Sequence, residues 1–165
     1  MKVKDVMTTD VRTCRLDTNL AAATEVMWNS DCGILPVVDE AGRAVGVITD
    51  RDMCIALGTR CAAPQEITVG QVISGNLFVC RPESEIRDAL VVMSDKRVRR
   101  LVALDDQGRV AGLLSLDDIA VAAESPTGFR RPDLSFSDVA LTLKAICRRP
   151  LIETPATERV VATGA

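Results

Sequence analysis

The chain contains no histidine and no tyrosine, and its 165 residues include one tryptophan and three phenylalanines. Without histidine, the usual general base of hydrolases and transferases is missing, and a carboxylate, lysine or cysteine would have to replace it. So few rings leave little to stack on bases, and a formal net charge of −3 offers no general attraction to nucleic acid or an anionic membrane. The six cysteines (Cys14, Cys32, Cys54, Cys61, Cys80, Cys147) form no C-x-x-C pair, so no metal site is expected. No charged start leads into an apolar stretch with a cleavage site, and no apolar run approaches a membrane span. The expected protein is cytoplasmic and non-enzymatic, with no catalytic residues, catalytic cofactor, nucleic-acid partner or membrane partner.

What the chain does contain is a duplication. Residues 3 to 57 lie over residues 69 to 123 without a gap, at a constant offset that pairs Cys14 with Cys80, Met27 with Met93, Leu35 with Leu101, Gly46 with Gly112 and Asp52 with Asp118. In the first unit, Val11 to Arg15 reads as a short strand, and Asp17 or Thr18 as the cap of a helix with an inner stripe of Leu20, Ala23, Thr24 and Met27. The strand Ile34 to Val38, the turn Asp39 to Gly42 and the strand Ala44 to Thr49 follow, then a helix from Arg51 to Leu57 closed by Gly58. Pro36 lacks an N–H and belongs at a strand edge or where the chain faces a ligand. The second unit repeats the order with Leu77 to Arg81, a helix Glu83 to Asp95, strands Arg100 to Leu104 and Val110 to Ser115, and a helix Asp117 to Ala123. The expected fold is α/β (α+β): two tandem β-α-β-β-α repeats packed sheet to sheet about a pseudo-twofold axis, because a single unit covers only one face of its sheet. Cys14 and Cys80, at equivalent strand positions, are expected as buried, reduced small hydrophobes.

The boundaries read as 1–58 for repeat 1, 59–68 for a linker and 69–124 for repeat 2. An extension at 125–150 follows, with a helix at about 135–148, and then a disordered tail at 151–165. That last helix has Ser135 and Asp138 at its start and Val139, Leu143 and Ile146 on one face, which is expected to pack on the module or on a second copy.

Within each repeat a strand ends in a hydroxyl residue and enters a helix with an aspartate in its first turn: Thr49-x-x-Asp52 and Ser115-x-x-Asp118. Unpaired N–H groups and the dipole at a helix start attract phosphate, and a nearby carboxylate can accept both hydroxyls of a ribose. Taken alone, each pattern reads first as a capping box that serves only its own helix, and it is the repetition at one place in both units that favours the ligand. Arg51 could assist a phosphate at the first corner, whereas the equivalent Asp117 would repel one. The basic run Lys96 to Arg100 divides between a solvated helix end and a phosphate-facing role, with Arg99 and Arg100 best placed for the latter.

The tandem units, the start Met7-Thr8-Thr9-Asp10-Val11, the run Leu35 to Asp39 and the G-x-x-T-D-R-D of Gly46 to Asp52 resemble a pair of CBS domains forming one Bateman module. The resemblance covers residues 1 to about 124. It implies a regulatory module that binds an adenosine ligand (AMP, ADP, ATP, NAD or S-adenosylmethionine) in two clefts between the repeats, usually as a homodimer, and signals to a partner by changing shape. By position, Asp52 and Asp118 would hold the ribose, and Thr49 and Ser115 would face the phosphate. The base would lie near Val11, Ile34 and Pro36 in one cleft and near Leu77, Arg100 and Leu101 in the other. A phosphorylated ligand is expected to bind more tightly at the Thr49/Asp52 corner. The alternative is a ligand-free dimerisation or protein-interaction scaffold.

Overall fold

The computed structural model describes residues 1–73, 75–125 and 132–148. In chain order its elements are β1 (Cys14–Arg15), α1 (Leu20–Asn29), β2 (Ile34–Val38), β3 (Ala44–Thr49), α2 (Asp50–Thr59), β4 (Val79–Cys80), α3 (Ile86–Lys96), β5 (Arg100–Leu104), β6 (Val110–Ser115), α4 (Leu116–Ala122) and α5 (Phe136–Cys147). Two three-stranded sheets result, ordered β1-β2-β3 and β4-β5-β6, each with one parallel and one antiparallel pairing.

The hairpins form for the same local reason in both halves. The Asp39 carboxylate accepts the N–H groups of Ala41 and Arg43 at 2.9 Å, the Asp105 carboxylate accepts those of Gln107 and Arg109 at 2.8 Å, and Gly42 and Gly108 both take φ of 77°. Only glycine adopts that backbone without a steric cost. Alternation then sorts the faces: Ile48 and Leu114 point into the cores, while Val47 and Leu113 turn toward the opposite sheet and line a common cleft. The two sheets therefore face each other, with their helices outside.

Several boundaries differ from the expectations. The outer strands shrink to two residues each, because β1 pairs only with Val37 and Val38, and β4 only with Val102 and Ala103. α1 is capped by Asn19, whose side chain accepts the Ala22 N–H, rather than by Asp17 or Thr18. Thr24 is exposed; its hydroxyl donates to the Leu20 carbonyl, and the buried stripe is Leu20, Ala23 and Met27. Gly58 lies inside α2, which runs on to Thr59. α3 begins three residues later than the pattern suggested, at Ile86. On α5 the buried residue is Thr142, with Val139 and Ile146 half-buried, while Leu143 is exposed. The expected tail at 151–165 lies outside the described residues.

The leading segments cross over. Val3 N–H donates to the Ser84 carbonyl and Lys4 N–H to that of Pro82, while Val69 N–H donates to Thr18 and Gly70 N–H to Leu16, all within 2.9 Å. Val3 is consequently buried in the core of the second half with Ile86, Leu101 and Leu114, whereas Ile67 and Val69 complete the core of the first. Each repeat thus contributes a residue that the other needs to close its core.

Candidate ligand-binding clefts

The strand-end hydroxyls cap their helices. Thr49 Oγ1 donates to Asp52 Oδ2 at 2.7 Å and accepts the Asp52 N–H at 3.2 Å; Ser115 Oγ donates to Asp118 Oδ2 at 2.6 Å and accepts the Asp118 N–H at 3.0 Å. Ser135 and Asp138 make the same box at 2.7 Å and 3.3 Å at the start of α5. There Asp138 also receives Arg87 at 2.9 Å. A capping box alone therefore says nothing about a ligand. What sets the first two apart is what lies in front of them.

Thr49 opens into a cleft of about 460 Å³ whose far wall comes from the second half: Asn76, Phe78 and the arginines Arg97, Arg99 and Arg100, with Arg51 beside Thr49. Ser115 and Asp118 open into a cleft of about 280 Å³ whose far wall comes from the first half: Asp10, Val11, Arg12, Asp31 and Ile34, with Arg100 again on the rim. The pseudo-twofold relation pairs each helix entrance with the loop preceding the first strand of the other half. Val11 and Ile34 therefore share a cleft with Ser115 and Asp118, and Ile34 also reaches the Thr49 cleft. Arg51, Arg99 and Arg100 all border the Thr49 cleft.

Four of the residues singled out from the sequence stand elsewhere. Asp52 lies outside the wall of the Thr49 cleft, beside a shallow hollow with Ile55 and Arg60. Pro36 and Leu101 are buried in their sheets, and Leu77 is half-buried; none of the three borders either cleft. Pro36 occupies the middle strand, one residue before the pairing with β1 begins. At the equivalent place, Val102 N–H donates to the Phe78 carbonyl at 3.0 Å. Proline cannot make that bond, so the carbonyl of Arg12, the counterpart of Phe78 and a lining residue of the Ser115 cleft, lacks it. Sequence reading missed Asn76, Phe78, Asp10, Arg12 and Asp31, and met Arg97 only as part of the basic run. Arg97 and Asp31 carried a signal in their shared offset, and both adopt positive φ, 54° and 47°.

None of the four arginines at the Thr49 cleft makes an ion pair among the described residues, in contrast to Arg15, Arg43, Arg81 and Arg87. Arg99 Nη2 lies 4.0 Å from Cys147 Sγ. The arrangement can bind an anion. Among the described residues no group of His, Cys, Asp and Glu could hold a metal, and no helix is long and apolar enough to cross a membrane.

Comparison with known proteins agrees with the architecture. The CBS domain family model matches residues 3–59 and 69–125. The CBS domain-containing protein YhcV of Bacillus subtilis is 36% identical over 120 residues, 72% of this chain and 83% of that protein. Other relatives are longer, an acetyltransferase among them; this chain spans 24% of that protein and 44% of another. Among solved structures, the CBS domain pair of protein MJ0100 in complex with 5'-methylthioadenosine and S-adenosyl-L-methionine superposes with a TM-score of 0.66 at 24% identity, covering 74% of this chain and 94% of that one. CBSX2 in complex with AMP superposes with a TM-score of 0.62 at 24% identity, covering 73% and 94%. The two matched repeats, their order and their face-to-face sheets place this chain in the CBS domain family, as a tandem pair.

Proposed function

We propose that the chain is a non-catalytic regulatory module that binds adenosine-containing ligands between its halves and passes the signal to a protein partner as a change of shape. The observation that carries this is the placement of two helix entrances, at Thr49 and Ser115, each facing a loop of the opposite half across a cleft. A ligand there touches both halves at once, so it favours one relative arrangement over another, which is what a signal requires. Two proteins of this fold hold adenosine compounds. The Arg12 carbonyl, without the backbone bond that the Phe78 carbonyl accepts, is an acceptor suited to an exocyclic amine such as that of adenine. Asp118, whose Oδ2 is taken by Ser115, keeps Oδ1 for a ribose hydroxyl. At the other corner Asp52 would have to turn toward the cleft to do the same.

Homodimerisation belongs to the same reading. α1 and α2 flank an open groove lined by Met27, Met53 and Leu57, with Trp28 at its rim 85% exposed. The equivalent face of the second half is covered by α5, which packs on α3 and α4. A second copy offering its own Trp28 to that groove makes a self-complementary pair.

The test is thermal denaturation with AMP, ADP, ATP, NAD, S-adenosylmethionine and a guanine control. A ligand at a hundredfold excess over its Kd adds about 2.7 kcal/mol, a rise of several degrees in Tm. No response to any adenosine compound, with the protein folded, favours the rival reading of a ligand-free scaffold. That reading draws on the internally satisfied hydroxyls of Thr49 and Ser115.

A further inference from the structure

The two clefts are related by symmetry in backbone but opposed in charge. Arg97, at the end of α3, is matched in the other half by Asp31, Arg99 by Gly33, Arg100 by Ile34, and Arg51 by Asp117. Among the described residues, the Thr49 cleft therefore presents four arginines and no carboxylate. The Ser115 cleft presents Asp10, Asp31 and Asp118 against Arg12 and Arg100. Arg100 borders both, so the smaller cleft does not even have its second cation to itself.

We infer that the two clefts take different classes of ligand: the Thr49 cleft a nucleoside di- or triphosphate, the Ser115 cleft an adenosine derivative without phosphate, neutral or bearing a positive centre such as a sulfonium. This rests on the adenosine reading for the identity of the base, and on the arginines alone for the polyphosphate. A single phosphate engages one or two guanidinium groups; four, with no carboxylate partner among the described residues, match the charge of a phosphate chain. The difference in size agrees, about 460 Å³ against about 280 Å³. A polyphosphate that draws Arg100 toward Thr49 leaves three carboxylates facing Arg12 in the other cleft. Filling the first thus strengthens the preference of the second for a ligand without negative charge, and by linkage the converse holds.

Arg97 adds an independent sign. It ends α3 in the left-handed region, at φ of 54°, where glycine is the favoured residue. Replacing it should relieve the backbone while removing a cation from the cleft, so stability and anion affinity move in opposite directions.

Calorimetric titration of the full chain with sodium triphosphate, ATP, AMP and adenosine, at low and at raised salt, tests the inference. Expected are one triphosphate and one ATP per chain, ATP at least about tenfold tighter than AMP, and an ATP affinity that falls with salt much more than that of adenosine. Arg99→Gln and Arg51→Gln should each weaken ATP and triphosphate by about tenfold and leave adenosine unchanged. Arg97→Gly should raise Tm while weakening both anions. Asp118→Asn should weaken adenosine and spare triphosphate. AMP binding as tightly as ATP, two polyphosphates per chain, or ATP affinity indifferent to Arg51 and Arg99 would overturn the inference and leave the adenosine reading standing. Triphosphate bound with no response to any adenosine compound would support the anion cleft and overturn the adenosine reading.

Discussion

Cys14 and Cys80 occupy the same position in β1 and β4, and burial pushes both thiols up to about 11. At pH 8 they are almost wholly protonated and unreactive, because the thiolate is the nucleophile. Cys54, Cys61 and Cys147 are exposed. Iodoacetamide at that pH should label these three first and leave Cys14 and Cys80 for the unfolded protein, as peptide mass mapping would reveal. Gly112 answers to a different constraint. A Cβ there would lie 2.6 Å from Met7 Sδ and 2.8 Å from the Thr8 carbonyl, which is held by its pairing with Leu113. Gly112→Ala should cost about 1–3 kcal/mol, read from denaturant unfolding, since a backbone oxygen cannot yield as a flexible side chain can. Gly46→Ala meets only the end of Ile73 at 3.0 Å and should cost less.

Among the elements, α5 is the addition to the duplicated plan. Burial pushes the Asp138 carboxyl up, but the Ser135 hydroxyl and N–H, with the Arg87 guanidinium, outweigh it and hold the group below the usual aspartate value. A depressed folded value stabilises the helix above the unfolded pKa, about 3.9, and that contribution is lost as pH falls through the folded value. Acid should therefore loosen α5, and Asp138→Asn should remove that part of the acid dependence. Ser135→Ala should cost about 1 kcal/mol at neutral pH, seen as reduced amide protection along α5 in hydrogen exchange. The elements were the most readable part of the chain. β2, β3, β5 and β6 have the bounds their alternation implies, because turn chemistry and period are local. The outer strands and the α1 cap were not, since β1 ends where its partner permits and Asn19 competes with two other capping residues beside it.

For the whole molecule, the helix face around Trp28 is the place to interfere with assembly. Trp28→Glu puts a charge on an exposed apolar residue, so it should change the stability of the single chain by no more than about 0.5 kcal/mol while shifting a dimer to monomer in light scattering. A monomeric parent protein, or a dimer indifferent to the change, would refute the proposed face. The crossing of the leading segments makes a second expectation: Val3→Ala should destabilise by about 2 kcal/mol, and the loss should appear in amide exchange of α3 and β5, far along the chain.

By itself the sequence determined the duplication, the strands with their Asp-x-x-Gly turns, the capping boxes and the family, since all of these depend on residues close together in the chain or on one constant offset. Only the tertiary structure decided which loop faces which helix entrance. Offset arithmetic matches each residue with its counterpart in the other repeat, whereas the twofold relation sets Thr49 opposite Phe78 and Arg97, and Ser115 opposite Val11 and Asp31. The charge of each cleft is a sum over both halves, and it exists only once the sheets have met.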